Sequence, residues 1–320
     1  MPQRARHYLL HAAILWCCAG AFAQSYPSKP VRYIIPSTGG TEVIARLIAQ
    51  GMSQVVGQQV VVDPRTGANG NLGAEIAAKT PADGYTLLQI TQSHTFNTSY
   101  FKKLAFDLVR DFTPITLTDI SPMIVVVHPS FPAKTIAELV KIAKAKPGVV
   151  FYSSAGVGTS TYLAAELFKA SANVNLTEVP YRSGAPSLTA VIAGEVPVYF
   201  SPIATGMPLI QQGRLRALAV STLKRLPAYP DYPTVAESGV PGYEASNWHG
   251  LVAPAKTPPE IISAIHAAAV AGINRPEIAT RVRDLGYTIV AGQPAEFAEF
   301  IRADIEKWRK IVRDKNLSAD

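Results

Sequence analysis

The sequence predicts an α/β fold of mostly parallel sheets flanked by helices, and it favours two lobes over one. Short runs rich in β-branched residues alternate with runs of helical periodicity along almost the whole chain. This alternation is typical of parallel sheets covered by helices on both faces. The 320 residues also exceed the ~100–200 residues that are usual for one domain. We therefore expect two α/β lobes.

The first 23 residues are predicted to be a cleavable export leader. Arg4 and Arg6 precede a largely apolar stretch, Tyr8–Gly20, and Ala21–Ala23 then fits the small-x-small pattern of a cleavage site. The apolar stretch is shorter than the ~20 residues that span a bilayer. The leader therefore indicates export, and we expect the mature chain to work in the periplasm.

Both cysteines of the chain, Cys17 and Cys18, fall inside this leader. A lipid anchor on either is disfavoured, because Trp16 stands where a small residue is expected. The mature chain from Gln24 onward is then expected to have no disulfide, no thiolate metal site and no cysteine nucleophile.

Strands are predicted where apolar, β-branched residues run together. These are Val31–Ile35, Gln59–Val62, Thr86–Thr91, Met123–His128, Val149–Ser153, Leu176–Val179, Val196–Phe200 and Leu215–Val220. Helices are predicted between and after them. These are Thr41–Val56, Asn71–Lys79, Ile136–Ala145, Ser160–Ala172, Ala185–Ala193, Thr205–Gln212, Pro258–Asn274, Pro276–Leu285 and Pro294–Arg313.

Local signals support several of these helices. In the first helix, Val43, Leu47 and Met52 recur at helical spacing. The helix that starts at Ile136 is followed by Pro147-Gly148, a strong stop signal. Each of the last three helices opens with proline at or near its first position, where the missing N–H costs nothing.

Four strand-to-helix turns combine glycine with hydroxyl or amide side chains. They are Pro36–Thr41, Arg65–Asn71, Ser153–Ser160 and Tyr181–Ala185. Glycine lets a backbone approach a ligand closely, and the N–H groups at a helix start favour an anion. One such turn is ordinary, because glycine and serine are common turn residues. Four in one α/β chain suggest that some converge on an acidic ligand.

Other chemistries have little support in the sequence. The run Gly156-Val157-Gly158 lacks the third glycine of a dinucleotide fingerprint, and no glycine loop is followed by a Walker lysine. The histidines stand at no metal-ligand spacing, and no Gly-x-Ser-x-Gly elbow occurs. We therefore expect no metal, no cofactor and no enzymatic activity.

The net charge and three of the six histidines allow further expectations. The formal net charge of +7, two of which the leader contributes, forms no clustered basic face, so nucleic-acid binding is not expected. His94 follows a strand end and could face a cleft, whereas His266 is predicted to be structural. Trp248 and His249 could line a pocket or fill a hinge, and the sequence leaves both alternatives open.

At these turns the mature chain resembles the periplasmic solute-binding proteins of tripartite tricarboxylate transporters, the Bordetella uptake gene (Bug) family. The resemblance covers essentially the whole mature chain. Its motifs are Tyr26–Val31, Gly39–Thr41, Gly67–Ala74, Pro81–Leu88, Ser154–Ser160, Val179–Pro186, Arg214–Val220, Pro233–Glu237 and Gly250–Pro254.

The resemblance implies a two-lobed periplasmic binding protein that closes over its ligand like a Venus flytrap, with two crossovers between the lobes. It implies residues 24–125 plus 250–320 as lobe 1 and residues 126–249 as lobe 2. The implied ligand is a small organic acid, delivered to the large and small membrane subunits of a transporter. A monomer is expected. Presentation of the same ligand to a membrane receptor, as a sensor, remains an alternative.

The ligand-binding residues are expected in the loops that match the family's, together with His94. They are Ser37, Thr38, Gly39, Gly40, Thr41, His94, Ser154, Ala155, Gly156, Gly158, Thr159, Ser160, Tyr162, Tyr181, Arg182, Ser183, Gly184 and Ala185. Some depart from the family pattern: Ser37-Thr38 replaces a frequent Pro-Gly, and Arg182 replaces a common lysine. Arginine can hold a carboxylate through two parallel bonds, so these departures put the family's usual ligands in doubt.

Overall fold

The structure is a computed structural model that describes residues 26–319. The predicted leader, the new N-terminus at Gln24 and both cysteines lie outside the described residues. Within residues 26–319, no helix has both the length and the apolar character needed to cross a membrane.

Strands and helices alternate as the sequence predicts. The strands are β1 Val31–Ile35, β2 Val60–Pro64, β3 Thr86–Thr91, β4 Phe112–Val127, β5 Phe151–Ser154, β6 Thr177–Pro180, β7 Val198–Pro202, β8 Arg216–Val220, β9 Ser246–Pro254 and β10 Thr288–Ile289. The helices are α1 Gly40–Val56, α2 Asn71–Ala78, α3 Gln92–Tyr100, α4 Ile136–Ala145, α5 Ser160–Ala172, α6 Gly184–Ile192, α7 Ile203–Gln211, α8 Pro259–Ile273, α9 Pro276–Asp284 and α10 Pro294–Asp314. A 3₁₀ turn, Ala68–Gly70, leads into α2.

The sequence prediction missed residues Phe112–Pro122 of β4, and also α3, β9 and β10. In β4, Pro114 and Pro122 interrupt the strand pattern and coincide with or adjoin changes in pairing. Helix α3 has no clear apolar stripe, and its capping box uses His94 at the position where the usual pattern has glutamate or glutamine. These elements form because tertiary pairing and capping override a weak local signal.

The strands pair in the order β2-β1-β3-β9-β4-β7-β5-β6, and β8 and β10 also pair with β4. The pairs β2-β1-β3 and β6-β5-β7 are parallel, as the alternation predicts. The other described pairs are antiparallel, and each involves β4 or β9. The sheet is therefore mixed, because two long strands that are not linked by βαβ units run through its centre.

Strand β4 joins two halves of this sheet, which we call the first and second lobes. Its residues Phe112–Pro122 pair with β9 in the first lobe, and its residues Met123–Val127 pair with β7 and β8 in the second. The chain returns to the first lobe just before β9, since the Ala245 N–H still bonds to the Ser221 carbonyl of the second lobe. The lobe boundaries expected at 125/126 and 249/250 stay a prediction.

Helices cover both faces of each lobe, and apolar clusters fill the layers between. In the first lobe, α1, α8 and α9 pack on one face and α2 and α10 on the other. In the second lobe, α4 and α5 pack on one face and α6 and α7 on the other. A further cluster joins the lobes, with Phe96 of α3 and Trp308 of α10 packed near Tyr162 and Leu163 of α5.

Candidate functional site

A buried network of amides lies where the chain switches between the lobes. The Asn247 side chain accepts a hydrogen bond from Gln92 Nε2 at 3.1 Å and donates one to the Tyr287 hydroxyl at 3.2 Å. Gln92 Oε1 also accepts from the Trp248 N–H at 3.3 Å. These contacts tie the start of α3 and the segment before β10 to β9, at the junction of the lobes.

The first loop, Ser37–Thr41, connects β1 to α1 in the first lobe. Gly39 precedes the helix with a φ of 77°, and no side chain caps the helix start. Ser37 to Gly40 are exposed and Thr41 is half-buried. The first N–H groups of α1 therefore have no side-chain partner at a surface where the helix dipole favours an anion.

A buried histidine–aspartate pair supports this loop. His249 Nδ1 lies 2.7 Å from Asp119 Oδ1, and both side chains are fully buried. The other ring nitrogen, Nε2, lies 3.4 Å from the Thr41 hydroxyl. The Thr118 hydroxyl contacts the second Asp119 oxygen at 2.7 Å.

The second loop, Ser154–Ser160, leads from β5 into α5 in the second lobe. Its hydroxyls bond mainly within the loop and its surroundings. Ser154 Oγ donates to Glu178 and accepts from the Gly156 N–H at 2.9 Å. Thr159 Oγ1 donates to the Gly156 carbonyl at 2.6 Å, and Thr161 Oγ1 accepts from the Ala155 N–H at 3.0 Å. These contacts shape the loop, and they already use the N–H groups of Ala155 and Gly156; the Thr159 N–H bonds to the Gly156 carbonyl.

Two acidic residues lie beneath the second loop. Glu178 is half-buried, and burial raises its pKa above the usual range, while the hydrogen bond from Ser154 acts in the opposite direction. Glu166 is buried, accepts from the Tyr152 hydroxyl at 2.8 Å and pairs with Lys169 at 2.6 Å. The negative charge behind the loop is thus partly compensated before any anion approaches.

The third loop, Tyr181–Ala185, joins β6 to α6 beside the second loop. The Tyr181 N–H bonds to the Ser154 carbonyl at 2.9 Å. Arg182, Ser183 and Ala185 are exposed, Tyr181 and Gly184 are half-buried, and no side chain caps the start of α6. Ser187 Oγ bonds to the Ser154 carbonyl at 2.7 Å, so the second and third loops form one unit.

The two lobes touch directly at the second loop. Ser93 Oγ of α3 donates to the Gly158 carbonyl at 2.6 Å. Gly158 has a φ of 78°, and a Cβ there would overlap the side-chain amide of Asn69. Asn69 Nδ2 in turn donates to Asn97 Oδ1 at 2.8 Å, which fixes the amide from behind. The first-lobe residues Asn69 and Ser93 therefore face the second loop.

Two of the residues expected in the site lie deeper than the loops. His94 is fully buried at the start of α3, where its Nδ1 accepts from the Thr91 N–H at 3.1 Å. Burial lowers the pKa of His94 to about 4, and contacts with the Gly70 and Thr91 backbone oppose that shift. Tyr162 packs in the interlobe cluster, and burial raises its pKa well above the usual range.

Six residues that contact these loops or the junction of the lobes are not in the expected ligand-binding set. They are Asn69, Asn247, Ser93, Asp119, His249 and Tyr287. Asn69 belongs to a glycine-rich turn noted in the sequence, and His249 was one of two residues with open roles. Asp119 lies inside a long strand and has no local signal, because its partner is 130 positions away.

The described part of the chain offers no cluster of side chains suited to a metal ion. Within residues 26–319, no group of three or more histidine, cysteine, aspartate or glutamate side chains could hold a metal ion.

Comparisons with known proteins identify close relatives of this chain. A family model described as "Tripartite tricarboxylate transporter family receptor" matches residues 44–317. A protein from the tcbD-tcbE intergenic region of Pseudomonas sp. (strain P51) is 34% identical over 299 residues, which are 92% of this chain and 89% of that protein.

Two solved structures from Rhodopseudomonas palustris share the fold. Rpa4515, solved with adipate, is 34% identical with a TM-score of 0.80, covering 90% of this chain and 97% of that one. MatC, solved with bound malate, is 29% identical with a TM-score of 0.80, covering 90% of this chain and 100% of that one.

Proposed function

The chain belongs to the tripartite tricarboxylate transporter family of receptors, and on that premise we propose that it is a periplasmic solute-binding protein for small organic acids. It captures the acid between its lobes and presents the closed form to the large and small membrane subunits of a transporter. Relatives solved with adipate and with malate support a carboxylate as the ligand.

The proposal of a carboxylate as the ligand rests on one observation about the helix starts. Three helix starts at these loops have no side-chain cap: that of α1 in the first lobe, and those of α5 and α6 in the second. Each offers N–H groups and the positive end of a helix dipole, which favour a carboxylate over a neutral group. Because the lobes touch at Ser93 and Gly158, a carboxylate at the second loop lies close to the first lobe.

The proposed site consists of the three loops and the residues expected with them. It comprises Ser37, Thr38, Gly39, Gly40, Thr41, Ser154, Ala155, Gly156, Gly158, Thr159, Ser160, Tyr181, Arg182, Ser183, Gly184 and Ala185, with His94 and Tyr162 behind them. Both His94 and Tyr162 are buried, so direct contact with a ligand requires the lobes to open.

The lobes proposed to close on the ligand are residues 24–125 plus 250–320 and residues 126–249. Closure follows if the acid binds the closed arrangement more tightly than the open one. The leader of residues 1–23 directs the chain to the periplasm, where it acts as a monomer.

The proposed role involves no bond making or breaking, although one contact gives a reason to check. Thr41, His249 and Asp119 lie in the order of a nucleophile, a base and an orienting acid. The Thr41–His249 contact is long at 3.4 Å and His249 is fully buried. We expect purified protein to hydrolyse no carboxylic ester, and turnover that Thr41→Val abolishes would contradict this.

A thermal-shift screen tests the proposed function. Adipate, malate and other small mono-, di- and tricarboxylates are compared with the diamide of adipic acid, which has the same length without charge. An acid at 100 times its Kd should stabilise the protein by about 2.7 kcal/mol, and the diamide should not. Absence of any acid-dependent shift at millimolar concentrations would contradict the proposal.

A further inference from the structure

The Asp119–His249 pair lies at the junction of the lobes, directly under the first loop. Asp119 of β4 and His249 of β9 are register partners, next to an irregularity that leaves Thr118 without a register partner in β9. Both side chains have no exposed surface. They therefore sit on the two strands that link the lobes and cannot meet a ligand themselves.

The carboxylate fixes the orientation of the imidazole. Asp119 Oδ1 lies 2.7 Å from His249 Nδ1, and the Thr118 hydroxyl holds the other carboxylate oxygen. An ionised carboxylate can only accept hydrogen bonds, so the hydrogen of this contact lies on Nδ1. The ring is thereby locked with Nε2 directed away from Asp119.

The Nε2 atom of the His249 ring contacts the first loop. Nε2 lies 3.4 Å from Thr41 Oγ1, and the Tyr287 ring packs against the imidazole with 5.6 Å between centroids. The Tyr287 hydroxyl lies 3.6 Å from the place a Cβ at Gly40 would take. Histidine and tyrosine thus support two consecutive residues of the loop from below.

This support is the loop's side-chain anchor. Within residues 26–319, the Thr41–His249 contact is the one side-chain hydrogen bond recorded for Ser37–Thr41. A buried polar pair is weak evidence for stability, since apolar residues of similar volume often serve as well. The contact with Thr41 gives the Asp119–His249 pair a role in holding the first loop. A contribution to stability alone would not explain the pair.

We propose that Asp119 and His249 are positioning residues for the ligand: they hold the Thr41 hydroxyl so that the first loop keeps its donors aimed at a carboxylate. This inference rests on the proposed function. Because the pair also spans β4 and β9, it ties the loop's position to these two paired strands at the junction of the lobes.

A double-mutant cycle tests the proposal. The amide of His249→Asn can still donate to Asp119 but cannot reach Thr41, and Thr41→Val keeps the shape of the threonine without its hydroxyl. Kd values for adipate and malate are measured by calorimetry on wild type, both single variants and the double variant. Thr41→Ser, which keeps the hydroxyl, is the matched control.

We expect each single loss to weaken binding about tenfold, as for one hydrogen bond near a charged group. In the Thr41→Val background, His249→Asn should then have little further effect, and Thr41→Ser should bind like wild type. Independent, multiplicative losses, or unchanged Kd values, would overturn the proposal. A merely structural role would lower the melting temperature without this dependence between the two sites.

A second measurement separates this inference from the proposed function. Nitrogen NMR of the His249 ring needs no ligand: Thr41→Val should shift the Nε2 resonance and leave Nδ1 nearly unchanged. If wild type binds no acid, the proposed function fails even where the NMR contact is present. If acids bind but the Nε2 resonance of His249 does not change in Thr41→Val, only the positioning proposal fails.

Discussion

Gly158 is a residue whose lack of a side chain brings the lobes together. Its φ of 78° suits glycine, and the Asn69 amide occupies the space that a Cβ would need. Asn69 is held by Asn97 and cannot easily move aside. The contact between the lobes at this point therefore requires glycine, because a Cβ at position 158 would overlap the Asn69 amide.

We expect Gly158→Ala to weaken the binding of organic acids by tenfold or more, since the added methyl keeps the lobes apart. Gly213→Ala is the control, because it lies outside the proposed site, its φ of 71° is similarly unfavourable for alanine, and no atom lies within 4 Å of a Cβ there. Both variants should lose similar stability, about 1 kcal/mol or more. Equal affinity losses in calorimetry would show that loop strain, not the lobe contact, is responsible.

His94 should make the stability of the protein sensitive to acid. Burial lowers its pKa from 6.5 to about 4, so the folded state binds fewer protons than the unfolded state between these values. Stability is then complete above pH 6.5 and falls as the pH drops towards 4, by about 3 kcal/mol in total. Urea unfolding of wild type and His94→Gln from pH 8 to 4 measures this, and a parallel decline in both would contradict it.

Among the elements, helix α10 contributes residues to two different apolar clusters. Ile301 and Ile305 pack inside the first lobe, whereas Trp308 packs on Phe96 of α3, 5.7 Å between ring centroids, in the cluster that includes Tyr162 and Leu163 of α5. The sequence predicted this helix as Pro294–Arg313, with proline at its start. It could not tell which buried residues face the other lobe.

We expect Trp308→Ala to cost about 3–5 kcal/mol of unfolding free energy and to weaken acid binding, because it removes apolar contact between the lobes. Ile301→Ala is the matched control on the same helix: it should cost about 2–5 kcal/mol and leave the Kd unchanged. Urea unfolding and calorimetry measure both quantities. A Trp308→Ala variant with the wild-type Kd would show that this cluster does not contribute to closure.

Across the whole molecule, the parallel strands and all described helices except α3 were predictable, and the centre of the sheet was not. The span of α5 was predicted to the residue from its sequence. Strands β4 and β9 were missed wholly or in part, because prolines and polar residues blur their pattern. These two strands nevertheless join the lobes and carry Asp119 and His249.

The sequence by itself determined the α/β class and the glycine-rich loops, which depend on local composition and spacing, and the resemblance of its motifs indicated the family. Only the tertiary structure decided which side chains meet around those loops. Ser154 and Thr159 bond largely within their own loop, whereas Asn69, Ser93 and His249 face a loop from elsewhere in the chain. The physical reason is distance along the chain: periodicity reports neighbours a few residues apart, and these contacts join residues far apart in sequence.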